Sequence, residues 1–151
     1  MSTWAALEAE APELAARVRT LFQAGTNKTI ATLRLDGSPR ISGTELDFVD
    51  GEITFGMMPN SRKLDDVTRD PRVAVHSPTL ERPGNDPSEW PGDAKFSGSL
   101  RRSDPPSTAA VAEASYFTLD ITEAVLTYVE GDSLIVESWH PGRGWTRFSR
   151  K

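Results

Sequence analysis

The chain has 151 residues, a formal net charge of −5 at pH 7 and no cysteine. A chain of this length can bury one hydrophobic core without disulfides or metal ions to stabilise it. The lack of cysteine excludes disulfides, thiolate metal sites and cysteine nucleophiles. The acidic balance argues against general nucleic-acid binding, and two histidines leave little material for a metal site. No apolar run reaches the length of a membrane span and no signal-peptide pattern is present, so we expect a soluble, cytoplasmic protein.

Residues 2–24 are predicted to be helical, because apolar side chains recur there at three- and four-residue spacing. This apolar stripe comprises Trp4, Leu7, Ala11, Leu14, Val18, Leu21 and Phe22. Pro12 interrupts the segment, so either two short helices, with Pro12 in the first turn of the second, or one kinked helix fits the pattern. The stripe predicts packing against the core or against a partner subunit.

From residue 28 onward the pattern changes to short strands. Asp-Gly pairs at 36–37 and 50–51 separate β-like runs at 28–35, 40–49 and 52–57, and such pairs are strong hairpin signals. A helix is predicted over 61–70, where Pro71 ends it. The later predicted elements are a strand at 73–75, a long loop at 78–92, strands at 94–101, 116–129, 133–140 and 145–150, and a weak helix at 107–114.

Hairpin connections between most of these strands favour a mainly β (α+β) fold, an antiparallel β-barrel with flanking helices. They do not favour a doubly wound nucleotide-binding fold, in which helices connect parallel strands. No linker or internal repeat is visible, so we expect residues 1–151 to form a single domain.

The segment at residues 60–64 is the main candidate for a ligand site. With Ser61 or Asn60 as N-cap, Arg62 and Lys63 occupy the first helical turn, where the helix dipole disfavours cations. A bound anion would make this arrangement favourable, because backbone N–H groups and both cations would all point towards it. A phosphate is the natural candidate for that anion. The alternative is that both cations extend into solvent or pair with nearby carboxylates.

The preceding strand is predicted to pair with residues 52–57 and to bring small polar groups to the same barrel rim. Arg40, Ser42 and Thr44 alternate along it, and Gly43 would allow a flat ring to approach the backbone closely. An ordinary strand with a bulge at Gly43 fits the local sequence equally well.

Three runs of sequence resemble the pyridoxamine 5'-phosphate oxidase-like proteins, and their details look most like actinobacterial members. They are ATLRLDGSPR at 31–40, FGMMPNSRK at 55–63 and DPRV at 70–73. The resemblance is best over residues 29–77 and implies a flavin- or deazaflavin-binding split β-barrel. It implies FMN as the cofactor, with the deazaflavin coenzyme F-420 as the alternative, bound at the interface of a homodimer.

In this resemblance Arg62 and Lys63 hold the cofactor phosphate. The strand that begins at Arg40 and the strand end at Gly56 and Met57 contact the ring and the ribityl chain, and Trp139 corresponds to a tryptophan of the family. The full candidate cofactor-binding set is Arg40, Ser42, Thr44, Gly56, Met57, Ser61, Arg62, Lys63 and Trp139; no catalytic residue is identified.

The sequence departs from true pyridoxamine-phosphate oxidases at Glu45, which stands where those enzymes carry a lysine for the substrate phosphate. We therefore expect an oxidoreductase that uses FMN or a deazaflavin on another small molecule. Two alternatives stay open: a non-catalytic flavin or haem-type ligand carrier, and a dimeric interaction module. Asp65 and Asp66 are interpreted as a solvated helix face and not as a catalytic acid pair.

Overall fold

The computed structural model describes residues 2–151. The helices of this part are α1 (Trp4–Glu10), α2 (Pro12–Phe22) and α3 (Arg62–Arg69), and a 3₁₀ turn covers Pro87–Glu89. The strands are β1 (Lys28–Leu33), β2 (Pro39–Thr44), β3 (Asp47–Val49), β4 (Glu52–Met57), β5 (Arg72–His76), β6 (Asp93–Ser103), β7 (Ser115–Glu130), β8 (Ser133–His140) and β9 (Gly144–Arg150). The mainly β fold with flanking helices is confirmed.

All the strands belong to one antiparallel sheet with the path β2-β1-β5-β6-β7-β4-β3, and β8 and β9 extend it from β7. β2 and β3 lie at opposite ends of this path, yet only Glu45 and Leu46 separate them along the chain. So short a connection spans roughly 10 Å. The sheet therefore curls until its two ends meet, which makes it a split β-barrel.

The predicted single strand at 40–49 is wrong: two strands stand there. β2 pairs with β1, in the register Ile41 opposite Ala31, whereas only β3 pairs with β4. The predicted hairpin between Arg40–Thr44 and residues 52–57 does not form. Buried and exposed residues alternate through the whole segment from 40 to 47. The alternation therefore does not reveal that the pairing strand changes from β1 to β4 within this segment. A period of two shows which face of a strand each residue lies on, but not which strand pairs with it.

The N-terminal segment forms two helices, with Pro12 in the first turn of α2. Proline is tolerated there because the first N–H groups of a helix have no intrahelical partner. The apolar stripe is buried by the barrel of the same chain. Trp4 packs edge-on against Phe96 with the ring centroids 6.0 Å apart, and Phe22 stacks on Phe96 at 4.8 Å. The stripe therefore needs no partner subunit to cover it.

β7 is the central strand of the molecule. It pairs with β6 along its length, with β4 in its first half and with β8 in its second half. The β6–β7 register shifts between Ser97 and Gly98, because Thr122 bulges out of the β7 ladder opposite them. A Cβ atom at Gly98 would lie 2.1 Å from the carbonyl oxygen of Asp120, so only glycine fits this bulge.

The predicted helix at 107–114 is wrong, since residues 104–114 form an irregular loop between β6 and β7. The residues there include two prolines and a serine but no spaced apolar stripe, so a helix would have had little to bury. The long loop predicted at 78–92 is confirmed and contains the 3₁₀ turn. In residues 2–151, no helix has both the length and the apolar character that crossing a membrane requires.

Candidate functional site

A cleft of about 600 Å³ opens where the two ends of the curled sheet meet, and we call it the α3 cleft. Its walls are the end of β2 with the connection to β3, the first turn of α3, the end of β4, and the loop at 104–114. The polar residues that line it include Thr44, Glu45, Asp47, Ser61, Lys63 and Tyr116. A volume of this size is typical of sites for small molecules and cofactors.

The N-terminus of α3 forms one end of the cleft. Asn60 has a positive φ of 66°, which turns the chain from β4 into the helix. Ser61 is the N-cap, and its Oγ accepts a hydrogen bond of 3.3 Å from the N–H of Leu64. The predicted helix and N-cap are confirmed. The earlier N–H groups of this turn have no intrahelical partner and are available to an anion.

The two cations of this turn differ in their surroundings. Arg62 is exposed and takes part in none of the ion pairs found in residues 2–151. Lys63 is partly buried, and its Nζ donates a hydrogen bond of 2.8 Å to the carbonyl oxygen of Gly43 on β2. Burial lowers the pKa of Lys63, and the charge of Glu45 opposes this shift. Lys63 therefore links α3 to β2, while Arg62 lacks a carboxylate partner.

The connection between β2 and β3 contributes negative charge to the cleft. Glu45 and Asp47 are exposed, line the α3 cleft and form no ion pair among the described residues. Arg40, a conceivable partner for Glu45, is paired with Asp66 instead. Glu45 therefore carries its charge into the cleft, where Lys63 and Lys28 are the cations that it influences.

A second cleft of about 610 Å³ lies on the other side of the same connection. It contains Lys28, which is 7% exposed and whose Nζ donates to the carbonyl oxygen of Thr26 at 3.0 Å. Burial lowers the pKa of Lys28, and the charges of Asp47 and Glu45 oppose this shift.

Gly56 and Tyr116 form the β4 side of the α3 cleft. They are cross-strand partners, and a Cβ atom at Gly56 would come within 3.0 Å of the Tyr116 ring. The Tyr116 hydroxyl donates a hydrogen bond of 2.8 Å to the carbonyl oxygen of Val111, which fastens the loop at 104–114 beside the cleft. Sequence reasoning missed Tyr116, because its position opposite Gly56 appears only once strand pairing is known.

The remaining predicted site residues do not line this cleft. Arg40 and Ser42 lie on the partly buried face of β2, and the Arg40 guanidinium contacts Asp66. Met57 is wholly buried in the core. Trp139 is 1% exposed, and its Nε1 donates a hydrogen bond of 2.7 Å to Glu10 of α1, so within one chain it supports the helical layer. The structure thus brings Thr44, Gly56, Ser61 and Lys63 together around the cleft, with Arg62 on the same helical turn.

The carboxylate of Asp66 lies at the meeting point of three elements. It is 2% exposed and accepts hydrogen bonds from Thr32 Oγ1 at 2.6 Å, from Arg40 Nε at 2.8 Å and from Arg69 Nη2 at 3.3 Å. Burial by itself would raise its pKa, but the hydrogen bonds from Arg40, Thr32 and Arg69 outweigh burial, so the pKa of Asp66 lies below its ordinary value. The sequence-based interpretation of Asp66 as part of a solvated helix face is therefore wrong for this residue.

A scan against protein-family models finds no match to this chain. A search of curated proteins likewise finds none. Solved structures do show similarity, and three of them are informative about the fold.

A pyridoxamine 5'-phosphate oxidase-related, FMN-binding protein from Nostoc punctiforme has a TM-score of 0.61 and 13% identity, covering 100% of this chain and 98% of its own. An F-420 reductase has a TM-score of 0.52 and 16% identity, covering 69% of this chain and 92% of its own. A haem-binding protein from Mycobacterium smegmatis has a TM-score of 0.59 and 11% identity, covering 91% and 88%. The chain therefore shares its fold with these three proteins.

Proposed function

We propose that this protein binds FMN in the α3 cleft, with the deazaflavin coenzyme F-420 as the alternative, and that it is a cytoplasmic oxidoreductase acting on a small molecule. The observation that carries the proposal is the first turn of α3, where Arg62 pairs with no carboxylate of residues 2–151 beside a cleft of cofactor size. Two cations in this turn cost stability unless an anion is bound there. The FMN-binding neighbour and the F-420 reductase neighbour support the choice of cofactors.

The residues of the cleft fit such a cofactor. Ser61, Arg62 and Lys63, with the free N–H groups of their turn, would hold the phosphate. The backbone at Gly43 has open space beside it for a flat ring, and Tyr116, whose ring covers Gly56, offers an aromatic surface in the cleft. A bound flavin would supply the hydride or electron transfer, while the protein binds and orients it. This division of roles accounts for the lack of an evident acid–base pair in the sequence.

The test is the absorbance spectrum of the purified protein, followed by titration with FMN, with F-420 and with haem. We expect saturable binding of FMN or F-420 at one site per chain. Protein that binds none of the three would contradict the proposal.

The haem-binding neighbour favours a second candidate function, a haem-type ligand carrier. The described lining of the α3 cleft contains no histidine. His76 and His140 pair instead with Asp93 and Glu123, at 3.3 and 2.8 Å. A haem in this cleft would lack an imidazole ligand from this chain. Saturable binding of haem, with no binding of FMN or F-420, would show that the protein is a haem-type ligand carrier and not a flavin-dependent oxidoreductase.

We also propose a homodimer in which the partner chain borders the cleft. The proposal is supported by the exposed apolar side chains of Leu35 (82% exposed) and Ile41 (76% exposed) near the free edge of β2. Ile41 shares a face of β2 with Gly43, and Gly43 lines the cleft. A second chain seated on this face would therefore adjoin the cofactor site.

A further inference from the structure

Lys28 occupies a position of β1 that an apolar residue would ordinarily hold. Lys28, Ile30 and Thr32 alternate along the buried face of this strand, and Lys28 is only 7% exposed. Lysine is seldom buried to this extent unless a carboxylate pairs with it. A residue that departs from the burial pattern of its strand in this way is a candidate for a functional role.

The amino group of Lys28 is only partly satisfied. Its Nζ donates to the carbonyl oxygen of Thr26 at 3.0 Å, the one hydrogen-bond acceptor that it contacts among residues 2–151. It forms no ion pair with a carboxylate of the same residues. Burial disfavours the charged amine and lowers the pKa of Lys28, although the charges of Asp47 and Glu45 act in the opposite direction. A lysine amine that has lost its proton is a nucleophile.

The second cleft gives a small molecule access to this amine. Lys28 lines the cleft between the turn that follows α2 and the connection from β2 to β3. Leu46 and Phe48 supply apolar surface there, while Glu45 and Asp47 are exposed along the same wall. A small neutral compound with an apolar body suits this lining, whereas a compound that carries a carboxylate would be repelled by Glu45 and Asp47.

We propose that Lys28 is a covalent site for a small neutral aldehyde or ketone, which condenses with the side-chain amine in the second cleft to form a Schiff base. The Nζ lone pair attacks the carbonyl carbon, and one N–H proton moves to the carbonyl oxygen. That oxygen then leaves as water with the second N–H proton, so a C=N bond joins Nζ to the former carbonyl carbon. The charges of Glu45 and Asp47 favour the protonated form of this imine. The condensation is independent of the proposed flavin chemistry.

The experiment uses propanal as the probe, together with sodium cyanoborohydride, which reduces the protonated imine to a stable secondary amine. Peptide mass spectrometry measures the adduct separately at each of the four lysines, Lys28, Lys63, Lys95 and Lys151. We expect the rate at Lys28 to saturate as the propanal concentration rises, because the cleft binds the aldehyde before it reacts. At low propanal the rate at Lys28 should exceed that at the exposed Lys95 and Lys151 at least about tenfold.

A matched pair of tryptophan substitutions tests whether the second cleft is responsible. Ala24→Trp introduces a large side chain at an exposed residue that lines this cleft, and it should abolish both the saturation and the preference for Lys28. Ala16→Trp makes the same change at an exposed residue of α2 outside both clefts, and it should leave the labelling of Lys28 unchanged. Glyoxylate, an aldehyde that carries a carboxylate, should lose the preference for Lys28 over Lys95.

The competing interpretation is that Lys28 only ties β1 to the turn at Thr26. Equal rates at Lys28 and the exposed lysines, faster labelling of Lys63 than of Lys28, or a rate at Lys28 that rises linearly with propanal would overturn the Schiff-base site. Labelling of Lys28 that a folded Ala24→Trp does not slow would overturn it as well. The wild-type measurements decide the matter where Ala24→Trp does not fold, and the titrations with FMN and F-420 test the flavin function separately.

Discussion

Arg62 and Lys63 stand in a helical turn where carboxylates are normally favoured. We predict that replacing both with alanine weakens FMN or F-420 binding by at least about 100-fold, because charge-assisted hydrogen bonds contribute roughly 1.5–3 kcal/mol each. Isothermal titration measures the affinity. The control is Arg143→Ala with Arg150→Ala, which removes two exposed cations outside the cleft. Equal affinity in wild type and in the Arg62 and Lys63 variant would exclude this phosphate site.

Glu45 lines the α3 cleft and forms no ion pair with another of residues 2–151. Its charge repels a phosphorylated substrate, so we predict negligible formation of pyridoxal phosphate from pyridoxamine or pyridoxine phosphate by the FMN-loaded wild type. Glu45→Lys should raise kcat/KM for these substrates at least about tenfold. Glu8→Lys, on the exposed face of α1, makes the same charge change away from the cleft and should have no effect. Ready turnover by the wild type would show that Glu45 does not select against phosphates.

At the scale of elements, one hydrogen bond fastens the helical layer to the C-terminal hairpin. Glu10 at the end of α1 accepts from Nε1 of the buried Trp139 on β8. Glu10→Ala leaves this N–H without a partner, and we predict a loss of about 1–3 kcal/mol in the free energy of unfolding. Urea unfolding followed by circular dichroism measures it. Glu8→Ala, two residues earlier and exposed, is the control. Equal stability of the two variants would show that water replaces Glu10.

Asp66 makes the association of α3 with β1 and β2 dependent on pH. Because its pKa is lowered in the folded protein, its contribution to stability is present at neutral pH and is lost as the pH falls below about 4. We predict that Asp66→Asn is clearly less stable than wild type at pH 7 and that the difference shrinks at pH 3. Denaturant unfolding at both pH values measures it, with Asp65→Asn as the exposed control on the same helix. A difference that does not shrink on acidification would contradict an ionised Asp66.

The sequence predicted most elements because their signals are local. Ser61 before a short helix and Pro12 in the first turn of another each determine a helix start through neighbouring backbone groups. The helix predicted at 107–114 does not form, since the alanines there favour a helix only where an apolar face can be buried.

At the scale of the whole molecule, the exposed apolar edge of β2 predicts self-association. We expect the wild type to be a dimer at micromolar concentration and Ile41→Glu to be a monomer, because a charge in an apolar interface must be desolvated. Light scattering measures the mass. Phe148→Glu, at another exposed apolar residue on β9, should leave the dimer intact. A monomeric wild type with cofactor tightly bound would rule out a site that needs both chains.

By itself the sequence determined an antiparallel barrel with flanking helices, a helical N-terminal segment and the cationic first turn of α3, since spacing and capping residues act over a few positions. Only the tertiary structure decided that β2 and β3 pair with different strands on either side of Glu45. It also decided that Asp66 is buried in contact with Arg40 and that Trp139 belongs to the core. These outcomes depend on which distant strands become neighbours. Strand pairing is set by the curl of the entire sheet, and an alternating pattern of buried and exposed residues is compatible with many partners.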